Sequence, residues 1–283
     1  MLSTTNEYEY DGYKFKIKET KMSIYGKPYS HSFVIGGDYE NCVNLSYKFK
    51  DGIPIEASLP ILSYEPECVL NSNLPKGSGT ISMIKALLTY GHNIINNINI
   101  FKFDDNSRID CNEKDMIKPP PRKLWKPLNL AYFSIIYSNM TWYEKHFNAK
   151  MIDTERYTKY RKSLSFLTDP KMKVSFINFL EITQLPSEFI PIIQPLYESS
   201  ETYHSFFNKI PFNKRCNILF SWLNTFVEHY IGHIYTDKDW YIDINDMMNH
   251  NLERQGGGQQ KRKTRRRSSS KYYITFSKKT QNF

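Results

Sequence analysis

Two runs of alternating apolar residues meet at one Asp-Gly pair, and this pattern restricts the fold more than any other part of the chain. Val43, Leu45, Tyr47 and Phe49 alternate strictly with polar neighbours, Asp51 and Gly52 follow, and Ile53, Ile55, Ala57 and Leu59 resume the alternation. Period two sends one face of a strand into a core and the other into water. The tight two-residue turn needs positive φ at both central positions, so Asp-Gly between two such runs predicts a β-hairpin. Tyr8, Tyr10, Tyr13, Phe15 and Ile17 mostly alternate as well, and the first third of the chain reads as strands. The second hairpin strand is expected to continue through Ile61, Leu62 and Tyr64, with Pro60 and Pro66 marking bulges or an edge, because proline cannot donate to a strand ladder.

Beyond Leu70 the pattern changes. A loop over Asn71 to Thr80 holds Pro75, Lys76, Gly77, Ser78 and Gly79, and then Ile81, Ile84, Leu87 and Leu88 recur at helical spacing. A strand follows over Ile98 to Phe103, closed by Asp104, Asp105 and Asn106. Helix alternating with strand predicts a mixed α/β layer beside the hairpin sheet. Pro119, Pro120 and Pro121 mark an extended loop over Asn112 to Lys126, and helical spacing returns from Leu128 to Phe147. Helical pieces are expected near Glu155 to Phe166, Ser175 to Thr183, Glu188 to Tyr197 and Asn213 to Ile231, with a closing strand over Trp240 to Ile244. The chain therefore divides into a mixed sheet and helices over 1–150, a mainly helical extension packed on that core over 151–253, and a tail over 254–283 too poor in apolar residues to order itself.

Charge sharpens that last boundary. From Arg254 onward there are ten Lys and Arg residues and no acid, so of the chain's +9 the body carries −1. A near-neutral body has no net attraction for phosphate polymers. The tail does, through Lys261, Arg262, Lys263, Arg265, Arg266 and Arg267, beside Ser268 to Ser270, whose phosphorylation would lower that charge. Nucleic acid or an import receptor is the partner such a block predicts, and a solubilising tail is the plainer alternative.

The four cysteines, Cys42, Cys68, Cys111 and Cys216, lie far apart without a CxxC pair, which predicts reduced, buried thiols in a reducing compartment. Met1 to Tyr10 lacks the basic and apolar regions of a secretory signal, and no apolar run approaches the roughly 20 residues that span a bilayer. A soluble intracellular chain with no membrane partner is expected. Two weaker patterns have plain readings beside them. His229 and His233 stand one helical turn apart after Glu228, but no third ligand accompanies them and no metal is assigned. Asp104 and Asp105 suit a cation or an amine, and equally suit the capping of the next turn.

The glycine loop carries the chemistry. Unpaired amides at a helix N-terminus attract anions, and glycines let a phosphate come close. The spacing is neither Walker A nor GxGxxG. In order, the hairpin strand, glycine loop, helix, strand and a helix ending in Thr141, Trp142, Tyr143, Glu144, Lys145, His146 and Phe147 resemble the GNAT-type N-acetyltransferase superfamily, most closely its divergent members in large DNA viruses. The resemblance covers roughly Val43 to Ala149. It implies a GNAT-like central sheet with flanking helices, acetyl-CoA as cofactor, and an amine acceptor on a protein or small molecule. In that family the loop after the fourth strand binds the CoA pyrophosphate, and a tyrosine in a "YEK.GF"-like helix ending protonates the departing thiolate. By resemblance, Lys76, Gly77, Ser78, Gly79 and Thr80 form the pyrophosphate loop and Tyr143 is the acid. A base must also take the amine proton; Glu65 and Glu67 stand near the end of the hairpin strand, where they read equally as solvated turn residues.

Three features depart from the family. Leu74 stands where it has Gln or Arg, no glycine separates His146 from Phe147, and no paired N-terminal helices are evident. They keep open a second reading: a non-catalytic viral structural or nucleic-acid-associated protein, in host cytoplasm, nucleus or virion, that uses the basic tail.

Overall fold

A computed structural model describes residues 1–35, 43–62, 78–105, 107–111, 128–234, 240–249 and 273–276. The expected hairpin is present. Strands β1 (Leu2–Tyr10), β2 (Tyr13–Ile24), β3 (Lys27–Ile35), β4 (Val43–Lys50) and β5 (Ile53–Leu62) pair antiparallel in sequence order. Lys50 pairs with Ile53 around Asp51 (φ 53°) and Gly52 (φ 82°). The same two-residue geometry closes β1–β2 at Asp11-Gly12 and β2–β3 at Tyr25-Gly26.

Helix α1 (Ser78–Ile94) connects β5 to β6 (Ile100–Phe103), which pairs parallel to β5. The sheet is completed by two short strands from much later in the chain, β9 (Lys150–Met151) and β10 (Trp240–Asp243). Its order is β1-β2-β3-β4-β5-β6-β10-β9, with β5–β6 as the parallel neighbours. A smaller sheet pairs β11 (Tyr273–Phe276), β7 (Ser107–Asp110) and β8 (Leu128–Asn129). Thus a four-residue piece of the basic tail pairs antiparallel with β7; the rest of 254–283 lies outside the described residues.

The inward positions of the strands, Phe15, Ile17, Phe33, Leu45 and Tyr47, are buried together with Met83, Ile84, Leu87 and Leu88 of α1. Gly91 allows α1 to approach β4 closely: a Cβ there would stand 2.5 Å from Leu45 Cδ2 and 3.0 Å from the Tyr47 hydroxyl.

The apolar spacing predicts one helix over 128–147, and the structure has two, α2 (Leu130–Ser138) and α3 (Trp142–Phe147). Asn139 closes the first in the left-handed region (φ 56°), and Thr141 opens the second with a capping box to Glu144. Between β9 and β10 the chain forms α4 (Thr154–Ser163), α5 (Phe176–Thr183), α6 (Ile190–Glu198), α7 (Tyr203–Lys209), α8 (Arg215–Leu219) and α9 (Leu223–Ile231). Sequence spacing does not single out α7, and the expected helix over 213–231 divides at Phe220 to Trp222. These helices share an aromatic core of Phe179, Tyr197, Phe206, Trp222 and Phe226. No helix among the described residues is long and apolar enough to cross a membrane.

The cysteines require a correction. Cys111 and Cys216 are buried and form a disulfide, which ties the end of β7 to α8 across 105 residues. Such a separation leaves no spacing signal in the sequence, so the expectation of reduced thiols fails for this pair. Cys42 and Cys68 lie outside the described residues.

Candidate functional site

Parallel strands joined through a helix place that helix antiparallel to both, so the N-terminus of α1 stands at the end where β5 and β6 finish. At this end β6 finishes at Phe103 while β5 runs on to Leu62. Their register runs Ala57 to Phe101, Ser58 to Lys102 and Leu59 to Phe103, and stops there. On its other side β5 stays paired with β4 as far as Leu62, but between Ser46–Ser58 and Asn44–Ile61 the register shifts by one residue. The extra residue falls at Leu59-Pro60, where proline removes a ladder donor and a bulge bends the strand. Of the two expectations for Pro60, a bulge or an edge, the shift on the β4–β5 ladder matches the bulge.

Three residues of the predicted pyrophosphate loop, Ser78, Gly79 and Thr80, form the first turn of α1. Their backbone N–H groups have no partner within the helix, and Gly79 and Thr80 are buried, so these donors are sheltered from bulk water. Lys76 and Gly77 lie outside the described residues, as do Glu65 and Glu67 and the six basic residues of the tail, Lys261, Arg262, Lys263, Arg265, Arg266 and Arg267.

Tyr143 stands on α3 beside the end of β6. It is 1% exposed, its ring lies 4.5 Å from that of Phe103, and its hydroxyl shares a hydrogen bond with Ser107. Burial, followed by the nearby charge of Asp105, holds the phenol well above its ordinary pKa. Asp105 accepts hydrogen bonds from the Ser107 backbone N–H (3.3 Å) and hydroxyl. It therefore caps the turn into β7, the plainer of its two sequence readings. Its burial pushes the carboxyl up to about 6, against the opposing pull of the Ser107 bonds. Phe103, Asp105, Ser107 and Tyr143 form a closed polar and aromatic block at the end of the parallel ladder. Ser107 had no sequence signal, because its role depends on Tyr143 arriving from 36 positions later.

Glu144, next to that tyrosine, is a structural carboxylate. Oε2 accepts from the Thr141 amide (2.7 Å) and the Tyr160 hydroxyl (2.7 Å), while Oε1 accepts from the Tyr157 hydroxyl (3.0 Å) and Arg161 (3.3 Å). Four donors leave it committed to holding α3 against α4. The expected histidine pair does not share a helical face: α9 ends at Ile231, so His229 lies on it with its ring packed on Tyr230, while His233 lies beyond Gly232 and pairs with Glu228 at 3.3 Å.

No family model matches the sequence, and no curated protein or solved structure matches it either.

Proposed function

We propose that the chain is a GNAT-like acyltransferase that binds acetyl-CoA at the end of the β5–β6 ladder and transfers the acetyl group to an amine. The observation that carries this reading is the end of the β5–β6 ladder at Leu59 and Phe103, with the first turn of α1 at the same end of the sheet. The end of the ladder and the helix amides that have no intrahelical partner lie at the same end of the sheet, and a pyrophosphate followed by an amide-bearing arm can use both. In the reaction, the amine nitrogen attacks the thioester carbonyl, a base such as Glu65 or Glu67 takes its proton, and the C–S bond breaks as the thiolate receives one. Tyr143 could donate that last proton only after releasing Ser107 and emerging from beneath Phe103. Calorimetric titration with CoA and acetyl-CoA tests the cofactor assignment. Saturable heat with both ligands is expected, and no heat at millimolar concentration would remove the reading.

The burial of Tyr143 favours a second reading, in which the fold is a non-catalytic scaffold and the tail holds nucleic acid. Its test should spare β11, which lies inside the tail. Replacing the six basic residues Lys261, Arg262, Lys263, Arg265, Arg266 and Arg267 with alanine should abolish DNA or RNA retention and its salt dependence. Unchanged retention would reject it.

A further inference from the structure

The opposite end of α1 holds a separate feature. Where the helix finishes at Ile94, a cavity of about 370 Å³ opens between its last turn and the ends of the strands, lined among others by Lys21, Ser23, His31, Phe49, Ile95 and Asn96. At 1.5 Å per residue, the 17-residue helix puts this cavity roughly 25 Å from the end of the β5–β6 ladder, so it is not part of the proposed cofactor site.

His31, 6% exposed, lies in its wall. Its Nε2 is 2.8 Å from Glu19 Oε1, and Glu19 also accepts from Lys21 Nζ (2.8 Å) and Asn6 Nδ2 (3.3 Å). A carboxylate can only accept, so Nε2 carries the imidazole proton and Nδ1 presents a lone pair. No partner for Nδ1 is present among the described residues. Burial pulls the His31 pKa down by more than Glu19 raises it, which keeps the ring neutral at pH 7. Burial also pushes the Glu19 carboxyl up, but the bonds from Lys21 and His31 outweigh it and leave Glu19 ionised.

We infer that this cavity is a binding site for a small neutral molecule with a flat apolar body and one N–H or O–H group, which donates to His31 Nδ1. Charge decides the class. The C-terminal carbonyls of α1 give that end of the helix a partial negative charge, which repels anions. The Lys21 ammonium at the rim repels cations. Phe49, Ile94 and Ile95 supply the apolar walls, and the volume, at the low end for ligand pockets, suits a single ring system.

The minimal probe is phenol, titrated into the full chain while the His31 Nδ1 resonance is followed by long-range ¹H–¹⁵N correlation. Saturable movement of that resonance is expected with a Kd of about 1 mM, a value set by the few atoms of the probe. Anisole, which keeps the ring and loses the donor, should bind at least about tenfold more weakly. His31→Gln keeps a donor for Glu19 but has no acceptor at the Nδ1 position. It should weaken phenol binding similarly, read by calorimetry, with the thermal midpoint retained. Equal binding of anisole and phenol would overturn the proposal, as would tighter binding of benzoate or benzylamine, or no movement of Nδ1 up to the solubility limit. None of these outcomes depends on CoA binding at the other end of α1.

Discussion

Burial sets the energetics of Asp105, whose carboxyl titrates near 6 instead of its ordinary 3.8. The folded state holds that proton more tightly than the unfolded chain, so stability falls as pH rises from about 4 through 6. The charged form costs on the order of 3 kcal/mol above that window. Asp105→Asn keeps the oxygen that accepts from Ser107 and cannot ionise. Urea unfolding at pH 5 and pH 8 should show the variant gaining on the parent as pH rises, by roughly 1–3 kcal/mol. An equal difference at both values would reject the assignment, since any fixed cost of the amide cancels. The cap itself is legible in the sequence, as an aspartate pair at a strand end, though its partner Ser107 is not. Nor is the setting of Tyr143. A tyrosine near a helix end reads as half-exposed, and only the break at Asn139 to Thr141 turns this one under Phe103. Thr141 and Glu144 carry the capping-box spacing in the sequence, but the apolar positions on either side run through it as one helix.

Elements built from local contacts were the most legible. Asp51-Gly52 fixes its own hairpin, and Asp11-Gly12 does so by the same backbone chemistry, although only the first is flanked by strict alternation. Tyr25-Gly26 has no such advertisement, because tyrosine seldom takes positive φ. Pro60 suits a bulge or an edge, but that β6 would pair beside β5 and stop level with Leu59 is a matter of tertiary pairing. The disulfide is the extreme case, for nothing near Cys111 mentions Cys216. Closing a span of 105 residues restricts the unfolded chain by about 4–5 kcal/mol in the loop-entropy account. The double variant Cys111→Ser, Cys216→Ser should therefore melt on the order of 10 °C below the parent. Reductant should lower the parent toward the variant. If the two melt together, and both thiols of the native chain react with a thiol reagent, the pairing is wrong.

For the whole molecule, α1 organises two places at once. Its first turn stands at the end of the sheet where the parallel ladder finishes, and its last turn lines the cavity beside His31. The sequence announced the first through glycines and gave no hint of the second, because Glu19, His31 and Asn96 are brought together only by strand register and helix length. The sheet likewise depends on distance: β10, from the far side of the helical segment, is inserted between β6 and β9. The amides opening α1 are proposed to receive a pyrophosphate, and the backbone ¹H–¹⁵N spectrum of the full chain, followed as CoA is added, reads that contact residue by residue. Progressive, saturable shifts are expected at Ser78, Gly79 and Thr80, with smaller ones at Phe103 and Asp105. Amides at Ser78 to Thr80 that stay fixed at millimolar CoA, or shifts confined to other parts of the chain, would contradict the proposal.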